Sequence, residues 1–148
     1  VCLGNICRSP MAEAIMNKMI ADHGLTNRFQ IDSAGTSANH IGENPDERTI
    51  ITCRKNNIPI YHKARQISEQ DFAYCDRLIA MDESNFLHLN KMAEQRRLRS
   101  DHIHLMREYD TNMDTINVAD PWFGDLTDFD KCYETLTASC KAWLEDLK

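Results

Sequence analysis

The chain has 148 residues, 42% hydrophobic and 27% charged, the balance of one soluble globular domain with a single substantial core. A formal charge of −6 and a pI near 5.4 exclude a basic nucleic-acid-binding surface. No apolar run reaches the roughly 18–20 residues that cross a bilayer.

The opening stretch VCLGNICRSP crowds two cysteines, a glycine, an asparagine and an arginine into ten residues. A helix is expected after Pro10, with Met11, Ile15 and Met19 on one face and Gly24 as its stop. A strand is expected around Phe29–Ile31. Asn44-Pro45-Asp46-Glu47 then reads as a cap, a proline at the first helical position and an acidic first turn. Ser68 with Asp71 repeats the capping pattern. Further strands are expected at Leu78–Met81 and, more weakly, Ile103–Met106. The last helix, capped by Thr127 with Asp130 three residues on, carries Phe129, Cys132, Tyr133, Leu136, Cys140, Trp143, Leu144 and Leu147 as an apolar stripe. Cys132 and Cys140 there are expected to fill the core.

Strands alternating with helices imply an α/β fold with a parallel sheet covered on both faces. In such folds ligands sit beyond the carboxyl ends of the strands. The opening loop, residues 32–42 and residues 81–85 are expected to converge there.

The six cysteines, Cys2, Cys7, Cys53, Cys75, Cys132 and Cys140, have no short framework rhythm. No secretory leader pattern is visible, and a reducing, cytoplasmic setting is expected. There is no C-x-x-C pair, and no metal is expected.

The opening loop has its own physical logic. Gly4 and Asn5 are residue types that tolerate left-handed backbone, so successive N–H groups can turn inward as an anion-binding nest. Ser9-Pro10 starts a helix whose positive end faces the same spot. Arg8 offers a planar fork for two phosphate oxygens. Beneath that positive potential Cys2 is expected to be favoured as a thiolate, the in-line nucleophile for phosphorus. A G-x-x-x-x-G-K-[ST] loop is absent. For the proton on the leaving oxygen the candidate is Asp120 in VADPWFGD, pushed towards extended geometry by Pro121 and desolvated by Trp122 and Phe123.

The motifs CLGNICRSPMAEA, DSAGTS, HKARQI, DF, MDESN and DPWFGD follow one another in this order. Over essentially the whole chain they resemble a low-molecular-weight protein tyrosine phosphatase. The resemblance implies one phosphatase domain over residues 1–148, built on a central parallel sheet of about four strands. Cys2 would be the nucleophile that forms a phosphocysteine, Arg8 the phosphate clamp, and Asp120 the general acid and then base. The phosphate-binding loop would comprise Leu3, Gly4, Asn5, Ile6, Cys7 and Arg8, braced by Asn5, Ser9, Ser33 and His62. Asn39, His40, Trp122 and Phe123 would form the substrate rim. No cofactor is implied. Phosphotyrosine proteins or small phosphate esters would be the substrates, and phosphate-like oxyanions the inhibitors. A reversible Cys2–Cys7 disulfide would protect the nucleophile. For Asp82 in MDESN a turn or helix cap at a strand end explains the residue as well as a bracing role does.

Three departures from that pattern stand out. Only Val1 remains of the apolar strand that family members carry before the cysteine, so upstream residues are expected to be missing. Asn39-His40 replaces the usual rim aromatic, which makes that wall more polar. Trp122 and Phe123 replace two tyrosines, which excludes phosphorylation there and keeps the aromatic wall. Ile6 favours tyrosine over phosphoarginine, because related arginine phosphatases place Thr there. Arsenate reduction would require a relay of further cysteines, and these lie at apparent core positions. A phosphotyrosine-binding module without turnover is at odds with an intact Cys2, Arg8 and Asp120.

Overall fold

The computed structural model describes residues 1–148. Five helices, α1 (Arg8–Asp22), α2 (Glu47–Lys55), α3 (Glu69–Tyr74), α4 (Glu83–Arg96) and α5 (Leu126–Leu147), accompany two short strands, β1 (Leu78–Ala80) and β2 (Ile103–Leu105). The strands pair in parallel, with Leu78 opposite Ile103 and Ala80 opposite Leu105.

Regular pairing is therefore smaller than the four strands expected. Beyond β1 the sheet continues only as single bridges, Cys2 to Gly35 and Gly35 to Gln66. Val1 N donates to Ile79 O at 2.6 Å and Met81 N to Val1 O at 2.9 Å, which ties the opening residues to β1. The ladder stops after Cys2 because the backbone turns at once into the loop. Phe29–Ile31 forms no strand; Phe29 and Ile31 pack against the core without ladder partners.

Alternation along the strands separates two apolar clusters, as a period of two requires. Leu78, Ala80 and Ile103 join Phe72 of α3 with Leu89 and Ala93 of α4. Ile79, Cys2, Met81 and Met106 face the larger cluster of α1, α2 and α5. Helices thus cover both faces. Cys132 and Cys140 fill that larger core, and burial pushes each thiol up to about 12.

Three helix starts differ from expectation. α1 begins at Arg8, three residues ahead of the stretch expected after Pro10. Pro10 still lies in the first turn, where no intrahelical N–H is required. α2 is capped by Asp46, whose side chain accepts from Arg48 N, rather than by Asn44. α5 is capped by Asp125, whose carboxylate accepts from Thr127 N at 2.9 Å while Asp128 reaches back to Asp125 N at 2.9 Å. In both cases a carboxylate serves the helix's positive end better than a neutral cap. The Ser68–Asp71 capping box and the left-handed Gly24 stop, φ 67°, are as the sequence indicates.

Candidate active site

The loop from Cys2 to Arg8 leaves the sheet bridge and runs directly into α1. Asn5 adopts a left-handed φ of 57° and is fully buried. Gly4 does not share that geometry; its role is spatial, since an added Cβ would lie 3.0 Å from the His40 ring. Gly35 is required for a similar reason: a Cβ there would meet Leu3 O at 2.8 Å. The backbone N–H groups of Leu3 through Arg8 donate to no acceptor within the chain. Buried amides are nearly always paired, so a run of orphan donors around one cysteine is a site prepared for an anion.

Asn5 braces the loop from inside. Its Oδ1 accepts from His62 Nε2 at 2.7 Å and from Arg65 N at 2.9 Å. Its Nδ2 donates to Ser9 Oγ at 2.8 Å and to Ser33 Oγ at 3.0 Å. The full capacity of the amide is used. Ser9 Oγ, accepting from Asn5, keeps its proton available for Cys2 Sγ at 3.0 Å. Glu13 closes the network: Oε2 accepts from Ser33 Oγ at 2.6 Å and lies 3.0 Å from His62 Nδ1. The nearby donor atoms of Glu13, Asp32 and His62 lie within 4.8 Å of one another, but each side chain is already engaged by Ser33, Arg65 or Asn5.

Arg8 is buried, and three partners fix its fork. Nη1 donates to Asp82 Oδ2 at 2.6 Å and to Val118 O at 2.9 Å, and Nη2 lies 3.5 Å from Asp120 Oδ2. Burial alone would lower the guanidinium's pKa; the Asp82 hydrogen bond, with Cys2 and Asp120 nearby, more than offsets this and raises it. Asp120 lies over the same pocket, with Oδ1 accepting from Trp122 N at 3.1 Å. The aromatics do not desolvate it as expected. Its side chain is 42% exposed, and Phe123 is 96% exposed and packs on nothing.

Of the four expected rim residues, two bring their rings together. His40 and Trp122 face each other with ring centroids 5.9 Å apart, and Glu43 Oε2 holds His40 Nδ1 at 2.6 Å. Asn39 is exposed, its amide turned back to Ser37 Oγ. Phe123, like Asn39, is exposed to solvent.

Comparison with known proteins decides the family. The profile described as "Low molecular weight phosphotyrosine protein phosphatase" matches residues 1–148. The chain belongs to that family. The human low molecular weight phosphotyrosine protein phosphatase is 41% identical over 145 residues, covering 98% of this chain and 91% of the human protein. A crystal structure of a protein tyrosine phosphatase from Entamoeba histolytica superposes with a TM-score of 0.90 at 33% identity, over 99% of this chain and 92% of that one. A Drosophila arginine phosphatase gives 0.93 at 32% identity, over 99% and 94%.

Sequence reasoning left three residues of this phosphatase family member unassigned. Asp82 is both the cap of α4, through Asn85 N, and the partner of Arg8. Glu13 and Arg48 carry no expectation from the sequence. Glu13 carried one signal, its place inside the motif CLGNICRSPMAEA, one turn after the loop.

Proposed function

We propose that residues 1–148 act as one cysteine-dependent phosphatase domain that hydrolyses phosphotyrosine and small aryl phosphate monoesters. The observation that carries this reading is the row of unpaired amides from Leu3 to Arg8 around Cys2. These donors and Arg8 hold three phosphoryl oxygens, and Cys2 Sγ lies behind the phosphorus. In the first step the sulfur's electron pair forms the S–P bond as the P–O bond to the aryl group breaks, and Asp120 gives its proton to the departing oxygen. In the second step Asp120 takes a proton from water, whose oxygen displaces sulfur and releases inorganic phosphate. Charge on the equatorial oxygens is met by preorganised donors, where most of the acceleration arises. Phosphate-like oxyanions compete for the same nest.

Release of para-nitrophenol from para-nitrophenyl phosphate at acidic pH tests the reading. Hydrolysis that survives Cys2→Ser refutes the mechanism, and binding without release makes the chain a phosphotyrosine-binding module. The likeness to an arginine phosphatase favours phosphoarginine as a second substrate. Ile6, buried in the loop, stands against it, and parallel assays on phosphotyrosine and phosphoarginine peptides separate the two.

The reading includes a redox arm and a cytoplasmic setting, in keeping with six free thiols. Peroxide converts the Cys2 thiolate to a sulfenic acid. The Cys7 sulfur then attacks it, with loss of water, to give a disulfide. Recovery of a Cys7→Ser enzyme from peroxide as complete as the parent's overturns that arm.

A further inference from the structure

Arg48, like Arg8, ties the acid-bearing segment to the phosphate loop, and none of the roles assigned so far uses it. It stands in the first turn of α2. Nε and Nη2 form a fork on Asp46, at 2.9 Å to Oδ1 and 3.0 Å to Oδ2. The remaining nitrogen, Nη1, donates to Trp122 O at 3.0 Å and Gly124 O at 2.9 Å. The guanidinium carbon also lies 5.6 Å from the Trp122 ring centroid and 4.5 Å from that of Phe129 in α5. Asp46 is itself tied to the nest, since its backbone N donates to Ile6 O at 2.8 Å.

Asp120, Trp122 and Gly124 lie on one irregular segment between Val118 and α5. The other backbone anchors of this segment are Val118 N on Met81 O, Val118 O on Arg8 and the Gly124 N to Pro121 O turn, and none of these ties residues 122–124 to another element. Two carbonyls gripped by one nitrogen, two and four residues beyond Asp120, fix where the carboxyl stands relative to the captured phosphoryl group. A planar fork with five donors can hold Asp46 and both carbonyls at once; a lysine ammonium cannot.

We propose that Arg48 is a positioning residue that sets the reach of Asp120 to the leaving oxygen by locking the 120–124 segment to the cap of α2 and, through it, to the phosphate loop. The proposal rests on Asp120 acting as the general acid. Proton donation matters most when the departing phenoxide is basic. A misplaced acid therefore slows esters of weakly acidic phenols and spares those of strongly acidic ones.

The test is kcat/KM, which reports the first chemical step, over aryl phosphates from 2,4-dinitrophenyl to phenyl, for the parent, Arg48→Lys and Arg48→Ala. The inhibition constant of inorganic phosphate is measured alongside. We expect Arg48→Ala to lose about tenfold on phenyl phosphate, part of the ~100–10,000-fold a general acid supplies. On the dinitrophenyl ester it loses less than twofold, and phosphate inhibition is unchanged. Arg48→Lys falls between and serves if the alanine variant does not fold. In an Asp120→Asn background the Arg48 substitution adds no further leaving-group dependence. A uniform loss across the series, no loss, or phosphate inhibition weakened in parallel overturns the proposal. Failure of the underlying reading looks different: the parent then shows no hydrolysis that depends on Cys2.

Discussion

Asp82 Oδ2 accepts from Arg8 Nη1 at 2.6 Å while its Oδ1 caps α4 through Asn85 N at 2.8 Å. One carboxylate thus sets both the start of a helix and the orientation of the buried fork proposed to hold the phosphoryl group. Asp82→Asn keeps a capping oxygen and removes the charge that opposes Arg8. We expect the inhibition constant of inorganic phosphate to rise about tenfold. Stability is expected to fall by about 2 kcal/mol, below the loss for a fully buried pair because Asp82 is 21% exposed. Inhibition assays and urea unfolding check the two effects, and unchanged phosphate inhibition would show that Val118 O alone suffices to hold the fork.

Asn5 combines a left-handed backbone with four hydrogen bonds at zero exposure. Asn5→Ala loses both adaptations. It strains a φ of 57° and leaves His62, Arg65 N, Ser9 and Ser33 each short of a partner, and it is expected to cost on the order of 3 kcal/mol. Asn5→Gly tolerates the backbone and loses only the bonds, so its cost should be smaller by about 1 kcal/mol. Both variants should lose most of their turnover, because the orphan amides no longer converge. Equal unfolding free energies for the two would show that the φ value carries no strain.

Much of this site was legible because its chemistry is local in the chain. Cys2, Asn5, Arg8 and Ser9 fall within one loop and one helical turn, so residue types and spacing suffice to align donors on one point. What escaped depends on partners far away. Asp82 reads as an ordinary cap until the sheet brings it to Arg8, 74 positions away in the chain. Arg48 meets Trp122 across the same separation, and Glu13 meets His62 only once α1 is packed. The sheet was overread at Phe29–Ile31, an apolar run that packs on the core without ladder partners, while Cys2, Gly35 and Gln66 make only single bridges. A run of Trp and Phe likewise does not reveal that Phe123 is 96% exposed while Trp122 pairs with His40.

The tilted pairing of the His40 and Trp122 rings gives a graded prediction for the pocket wall. On the proposed reading, removing either ring takes away apolar surface for an aryl substrate and leaves Cys2, Arg8 and Asp120 in place. His40→Ala is expected to raise KM for phosphotyrosine two- to fivefold at nearly constant kcat, the pattern of lost uniform binding. Phe123→Ala, at a position 96% exposed, should change KM for small aryl phosphates by less than 1.5-fold. Steady-state kinetics on the two variants decides the matter, and a larger effect at Phe123 than at His40 would reverse the assignment of the wall.

The buried thiols give the fold an alkaline limit. Burial is the leading cause that pushes Cys7, Cys132 and Cys140 up to about 12 and Cys53 to about 11, against an ordinary value of 9.0. Each raised value means that the folded chain keeps a proton which the unfolded chain releases. The stabilisation from the neutral thiols is therefore complete below pH 9 and is lost as pH climbs through 9 towards 12. Within that window each such thiol steepens the fall by up to about 1.4 kcal/mol per pH unit. Urea unfolding at intervals from pH 7 to 10.5 should show a plateau to about pH 9 and a steep decline beyond it. Cys140→Ala should lie lower on the plateau, because a small cavity replaces the sulfur, and decline less steeply. If the two curves stay parallel above pH 9, Cys140 has the same proton affinity folded and unfolded, and some other group sets the alkaline limit.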